Sequence, residues 1–103
     1  MQIQFNTDNH IVGRETLAEH VESVVLKALS RFGGQVTRVE VHLSDESAGK
    51  NGPADKRCVI EARLEGRPPT AVSHHAESVD EALSGAAAKL QRALDSVLGK
   101  LRA

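Results

Sequence analysis

The fold is decided by Arg38-Val39-Glu40-Val41-His42-Leu43 and Arg57-Cys58-Val59-Ile60-Glu61-Ala62-Arg63-Leu64-Glu65, two stretches in which apolar and polar residues alternate. Because side chains alternate across a strand, each stretch predicts a β-strand with one face in the core and one in water. The polar segment 44–55 separates them, and its glycines and proline predict the loop of a long antiparallel hairpin. The inward positions are Val39, Val41, Leu43, Cys58, Ile60, Ala62 and Leu64. The outward positions are Arg38, Glu40, Arg57, Glu61, Arg63 and Glu65.

A shorter strand and a helix are predicted before the hairpin. Residues 1–5 alternate, which places Met1, Ile3 and Phe5 on the core side of a first strand. Residues 14–32 repeat apolar side chains at helical spacing and end at Gly33-Gly34, so they predict an amphipathic helix.

A strand and a second helix are predicted after the hairpin. The strand spans residues 70–74, and Ser78 with Glu81 three residues later is typical of a helix N-terminus. The apolar stripe of this helix continues almost to residue 103. Its members are Val79, Leu83, Ala86, Leu90, Leu94, Val97 and Leu101.

These elements predict an α+β fold in the order β-α-β-β-β-α. The inward positions of all four strands need an apolar cover, and the two helices are the only elements that can supply it. We therefore expect a four-stranded sheet with both helices packed on one face. The other sheet face should be in contact with water.

Composition limits the class of protein. A chain of 103 residues and 11.0 kDa predicts one domain, spanning residues 1–103, and an aromatic content of 2% predicts an aliphatic core. The net charge of -1 and the pI near 6.5 exclude a uniformly basic surface, so nucleic-acid binding would require a local basic patch. With a lone Cys58 and no long apolar run, the chain is predicted to be cytoplasmic and to contact no membrane.

Catalytic and metal-binding patterns are weak in this sequence. His74 and His75 are adjacent on a strand and should point to opposite faces, so they cannot share an ion in regular geometry. Cys58 is expected to be a small core residue. The sequence contains no phosphate-binding loop or dinucleotide fingerprint. We therefore predict no enzyme, no cofactor, no metal and no small-molecule substrate.

Four segments of the chain resemble the ribosome hibernation promoting factors, also called ribosome-associated inhibitor A or protein Y and formerly sigma-54 modulation proteins. The segments are Met1-Gln2-Ile3-Gln4-Phe5, Arg38-Val39-Glu40-Val41-His42-Leu43, Asp55-Lys56-Arg57-Cys58 and Lys89-Leu90-Gln91-Arg92-Ala93-Leu94. The resemblance implies a short form that lacks the long form's C-terminal dimerisation domain. It also implies binding to the small ribosomal subunit near the decoding centre, with ribosomal RNA and nearby ribosomal proteins as partners. Translation would be silenced there during stress or stationary phase.

The resemblance also implies which residues contact RNA. The family's basic positions on the second helix match Lys89, Arg92 and Lys100, and such side chains would neutralise ribosomal RNA phosphates. The chain departs from the family at Ser96 and Leu98, where relatives often have lysines, and at Asp80, where an aromatic residue is usual. The full set of expected RNA-contacting residues is Lys27, Arg31, Lys89, Arg92, Lys100 and Arg102.

Other interpretations of these residues exist. Lys100 and Arg102 lie near a helix C-terminus, where the helix dipole stabilises cations without any partner. Arg57, Arg63 and Arg67 fit cross-strand charge pairing on a solvated sheet. Two other functions compete with ribosome binding: a protein interaction module that uses the exposed sheet face or the first strand, and a small metal-dependent or catalytic protein.

Overall fold

The structure, a computed structural model, describes residues 1–8, 11, 13–46 and 56–102, with the backbone alone for Arg14, Lys100, Leu101 and Arg102. It contains four strands and two α-helices in the predicted order. The elements are β1 (Gln2–Thr7), α1 (Arg14–Leu29), a short 3-10 helix (Ser30–Gln35), β2 (Val36–Asp45), β3 (Lys56–Leu64), β4 (Thr70–Ala76) and α2 (Val79–Arg102).

The four strands form one mixed sheet in the order β1-β2-β3-β4. β1 is parallel to β2, and the β2-β3 and β3-β4 pairs are antiparallel. The register aligns apolar side chains in rows across the sheet: Val41 lies opposite Phe5 on one side and Ile60 on the other, and Ile60 lies opposite Val72. The predicted fold, with its four-stranded sheet and two helices, is confirmed.

Both helices cover the inward face of the sheet. α2 packs on β3 and β4, α1 contacts β1, and the two helices contact each other. The core between the layers is aliphatic apart from Phe32 and Cys58, with Phe5 packed at its edge, as the composition predicts. Met1 is an exception to the prediction, because it precedes β1 at the sheet edge and is 46% exposed.

β2 is longer than predicted at both ends, whereas β3 keeps the predicted length and begins one residue earlier. Ser44 and Asp45, which we had assigned to the loop, belong to β2 and lie opposite Arg57 and Lys56. Polar contacts hold this extension: Lys56 forms an ion pair with Asp45 at 3.3 Å, and the Asp45 amide donates to the Asp8 carboxylate at 3.0 Å. These contacts join residues far apart in sequence, so alternation alone cannot reveal them. The rest of the predicted loop, residues 47–55, lies outside the described residues.

The helix ends differ in how well the sequence predicts them. α1 ends at Leu29, three residues before the predicted end, and the chain continues as the 3-10 helix to Gln35. Gly33 adopts a φ of 56°, a value that favours glycine, and it reverses the chain toward β2. The predicted start of α2 is confirmed, because the Glu81 amide donates to Ser78 Oγ at 3.1 Å.

Gly85 gives α2 its close approach to β4. A Cβ atom at this position would lie 2.1 Å from Cδ2 of His74, a side chain on the inward face of β4. The imidazole therefore occupies the space that any larger residue at 85 would need. Gly99, on the same helix, has nothing within 4 Å of such a Cβ atom.

We predict that Leu90→Ala lowers the free energy of unfolding by about 2 to 5 kcal/mol, because it leaves a cavity in the core. Leu90 is 1% exposed. The control is Leu26→Ala on α1, where the side chain is 43% exposed and the same truncation should cost little. Urea denaturation of both variants measures the difference. Equal midpoints for the two variants would contradict the packing of α2.

We also predict that Gly85→Ala destabilises the protein by about 1 to 3 kcal/mol, because the new methyl group overlaps the His74 ring. Gly99→Ala is the control and should be neutral or stabilising, since alanine is the better helix former. Adding His74→Ala to Gly85→Ala should restore part of the lost stability. Thermal unfolding of the single and double variants tests this, and a double variant no more stable than Gly85→Ala would show that His74 is not the obstacle.

Candidate nucleic-acid interface

The two helices run parallel to each other along the sheet. His20 Nε2 lies 2.6 Å from Asp80 Oδ1, and Gln91 Nε2 donates to the Ala28 carbonyl oxygen at 2.7 Å. An earlier residue of α1 thus contacts an earlier residue of α2, and a later residue contacts a later one, so the two helices point in the same direction. The exposed surface of α1 and α2, which we call the helix layer, thus has both N-termini at one end and both C-termini at the other.

Lys89 lies on the flank of α2 that faces β4. Its side chain is half-buried, and Nζ donates to the Ser73 carbonyl oxygen at 2.9 Å. This bond holds the ammonium group beside the edge strand of the sheet. Since an ammonium group has three N–H donors, two remain for another acceptor.

Arg92 follows Lys89 by three residues and lies close to it on the helix surface. Its side chain is exposed and has no hydrogen-bond or ion-pair partner among the side chains that the structure describes. Ser96 is exposed one turn further along the same flank. Lys100 and Arg102 belong to the last turn of α2, and only their backbone is described.

Arg31 and Lys27 lie on the other flank of α2, toward α1. Arg31 forms an ion pair with Asp95 of α2, and its guanidinium lies 5.1 Å from the centroid of the Phe32 ring. Lys27 is exposed and lines a shallow groove between the helices with Ala88 and Gln91. The structure therefore holds Lys89 at β4 and Arg31 at Asp95, on opposite flanks of α2. Arg92 is three positions from both Lys89 and Asp95, so it lies on the exposed surface next to each of them.

The structure explains the departures at Leu98 and Asp80. Leu98 is 8% exposed and belongs to the core, where a lysine would bury its charge. Leu98 follows Leu94 by four residues, a helical spacing that predicts the same buried face, although the predicted apolar stripe of α2 does not include it. Asp80 is hydrogen-bonded to His20 of α1, and a local sequence pattern cannot predict a partner 60 residues away.

The outward face of the sheet carries paired charges. Arg38 contacts Glu40 at 2.6 Å within the same strand, and Glu46 lies 3.6 Å from Arg57 and 3.5 Å from His75. The register places Arg38 opposite Arg63 and Glu40 opposite Glu61, so charges of the same sign face each other directly. Arg38 also donates to Gln4 Oε1 of β1 at 2.8 Å. Of the three arginines expected to form cross-strand charge pairs, Arg57 does so with Glu46, whereas Arg63 and Arg67 form no ion pair among the described residues.

The histidine and cysteine residues behave as strand alternation predicts. His74 points inward under α2 and His75 points outward to Glu46. Among the residues that the structure describes, no three His, Cys, Asp or Glu side chains are grouped closely enough to hold a metal ion. Cys58 is buried in the core, and burial raises the pKa of its thiol from 9.0 to about 12.

Comparison with known proteins identifies the family. The family model described as sigma 54 modulation protein / S30EA ribosomal protein matches residues 3–102. The chain belongs to this family. The S30EA family is a family of ribosome-associated proteins, so the resemblance seen in the sequence is confirmed.

Two solved structures have a similar fold. The chain is similar to the Protein Y N-terminal domain of Thermus thermophilus, with a TM-score of 0.73, 20% identity, and coverage of 94% of this chain and 99% of that one. It is also similar to a ribosomal subunit interface protein from Coxiella burnetii, with a TM-score of 0.72, 12% identity, and coverage of 96% and 99%. At these identities the likeness establishes the fold.

Two further observations complete the comparison. No curated protein sequence matches the chain. Within the described residues, none of the helices combines the length and the apolar character that crossing a membrane requires.

We predict that Cys58 is unreactive in the folded protein at pH 8, because its thiol pKa of about 12 leaves almost no thiolate. The protein unfolded in urea is the control and should react quickly with a chromogenic disulfide reagent. Since the folded pKa lies above the unfolded value of 9.0, the contribution of this thiol to stability is complete below pH 9 and is lost as pH rises toward 12. Rapid labelling of the folded protein would contradict the burial.

Proposed function

We propose that this protein binds the small ribosomal subunit near the decoding centre, through phosphates of ribosomal RNA, and silences translation in the cytoplasm during stress or stationary phase. Membership in a ribosome-associated family supports the ribosome as partner. One observation carries the RNA-binding surface: Lys89 and Arg92 lie together on one flank of α2 and have donors left for a phosphate.

The position of these two residues within α2 favours a binding role. Stabilisation of cations by the helix dipole falls off within the last turn of a helix. Lys89 and Arg92 lie well inside Val79–Arg102, so the dipole gives no reason for their charge. No carboxylate among the described side chains neutralises either one. Their charge is therefore available to a partner.

The bond from Lys89 to β4 prepares this flank for binding. A free lysine side chain loses rotamer entropy when it is immobilised on a partner. Lys89 is already held by the Ser73 carbonyl oxygen, so part of that loss has occurred on folding. Arg92 adds the planar guanidinium, whose paired N–H donors suit a phosphate.

The remaining basic residues are proposed to extend the contact. Lys100 and Arg102 continue α2 toward its C-terminus, and Lys27 of α1 and Arg31 of the 3-10 helix lie beside the α2 flank that faces away from β4. Arg31 keeps some of its five N–H donors while it is paired with Asp95, so it can still contribute to an RNA contact. A folded domain held at the decoding centre would occupy the space of messenger and transfer RNA, which is how we propose that translation stops. In this proposal residues 1–103 act as a single ribosome-binding domain.

We predict that Lys89→Glu with Arg92→Glu abolishes binding to small subunits at physiological salt, because two attractive contacts become repulsive. The matched control is Arg38→Glu with Arg63→Glu, which makes the same change in net charge at two exposed positions on the outward face of the sheet. Co-sedimentation with purified small subunits measures binding, and circular dichroism checks folding. A double Glu variant that sediments like the parent would overturn the proposal in favour of a protein interaction module.

The Ala versions of the same two residues test the nature of the contact. If both side chains neutralise phosphates, the double Ala variant should bind more weakly than the parent. Its slope of log affinity against log salt should be less steep by about two, following the rule of roughly one unit per phosphate. A slope equal to that of the parent would mean that these side chains make no phosphate contact.

A further inference from the structure

The charges of the helix layer are segregated along its length. Because α1 and α2 run parallel, the acidic residues near their N-termini meet at one end, which we call the acidic end. All of these side chains are exposed. They are Glu15, Glu19, Glu22, Glu77, Asp80 and Glu81. The opposite, basic end carries the residues proposed to contact RNA, and its described acid, Asp95, is paired with Arg31.

The helix dipole accounts for only part of this arrangement. Glu15, Asp80 and Glu81 lie in first turns, where anions are stabilised. Glu19 and Glu22 lie beyond the first turn of α1, where that effect has faded. Neither of them has an ion-pair partner among the described side chains, so salt bridging does not explain them either. The negative charges of Glu19 and Glu22 are therefore exposed to any partner that approaches this surface.

The two ends are far enough apart on α2 to act separately, whereas on α1 Glu22 and Lys27 are only five positions, about 7.5 Å, apart. Asp80 and Arg92 are separated by twelve positions on α2, which is about 18 Å at 1.5 Å per residue. Charges at the surface are screened over about 8 Å at physiological ionic strength. Lys89 and Arg92 can therefore attract a phosphate that the acidic end does not reach, and a phosphate placed at the acidic end is repelled.

We propose that the acidic end is a specificity element that keeps the N-terminal half of the helix layer away from RNA phosphates. This inference rests on the proposed function. An RNA duplex presents phosphates along its whole length, so a helix layer lying along it would meet both attraction and repulsion. An RNA surface that touches the basic end alone meets only attraction. Repulsion of the wrong partner is a common source of specificity.

The segregation also sets the direction of binding. With a net charge of -1, the protein has little overall attraction for RNA, and the local field decides which part approaches first. The basic end should face the RNA and the acidic end should face away. Glu19 and Glu22 are thus assigned as specificity-determining residues that do not themselves contact the RNA.

The test is Glu19→Gln with Glu22→Gln, and the matched control is Glu61→Gln with Glu65→Gln on β3 and the turn after it. Both variants change the net charge equally. Two affinities are measured for each: fluorescence anisotropy with a labelled 20-base-pair RNA duplex, and co-sedimentation with small subunits. We expect the acidic-end variant to bind the duplex several-fold more tightly than the parent, with a smaller change for subunits. The control should keep the parent's ratio of the two affinities.

The outcomes separate this inference from the proposed function. If the parent binds small subunits but the acidic-end variant binds the duplex no better than the control variant does, the inference is overturned and the proposed function stands. If the parent fails to bind small subunits, the proposed function is overturned, and the inference that rests on it falls too. A Lys version of the same two positions should strengthen duplex binding further, and a loss of duplex binding in that variant would also overturn the inference.

Discussion

The burial of one face of a four-stranded sheet beneath two parallel helices is the interaction on which the rest of the structure depends. Each strand contributes apolar side chains to that face, and the register aligns them in rows such as Phe5, Val41, Ile60 and Val72. Burial of this aliphatic surface is the main favourable term in folding. Only the two helices cover this surface, so the apolar face of each helix must point toward the sheet and both helices must lie along it.

The parallel direction of the helices has consequences beyond packing. It places residues of α1 beside residues at the same level of α2, so that His20 contacts Asp80 and the Ala28 carbonyl oxygen accepts from Gln91. It also collects the helix N-termini at one end of the molecule, and with them the acidic residues. A surface that is nearly neutral in total thereby acquires a basic end and an acidic end. Ribosomal RNA, as the proposed partner, would meet these two ends very differently.

Close packing and the proposed binding surface share the flank between α2 and β4. Gly85 allows the helix to sit against His74, and one turn later Lys89 reaches the Ser73 carbonyl oxygen. A helix held further from the strand would leave that lysine without its anchor. The small residue at 85 therefore supports the position of a charge that we propose to be functional.

The sequence by itself determined the element order, the inward sets of both hairpin strands, the aliphatic core and the family, because these follow from local periodicity and from residues near one another in the chain. It also placed Lys89 and Arg92 on one flank of a helix, since helical spacing alone does that. Only the tertiary structure decided that Arg31 is paired with Asp95, that Ser44 and Asp45 extend a strand, and that Lys89 is bonded to β4. Those features depend on contacts between residues up to 64 positions apart, whose geometry is set by how the helices lie on the sheet.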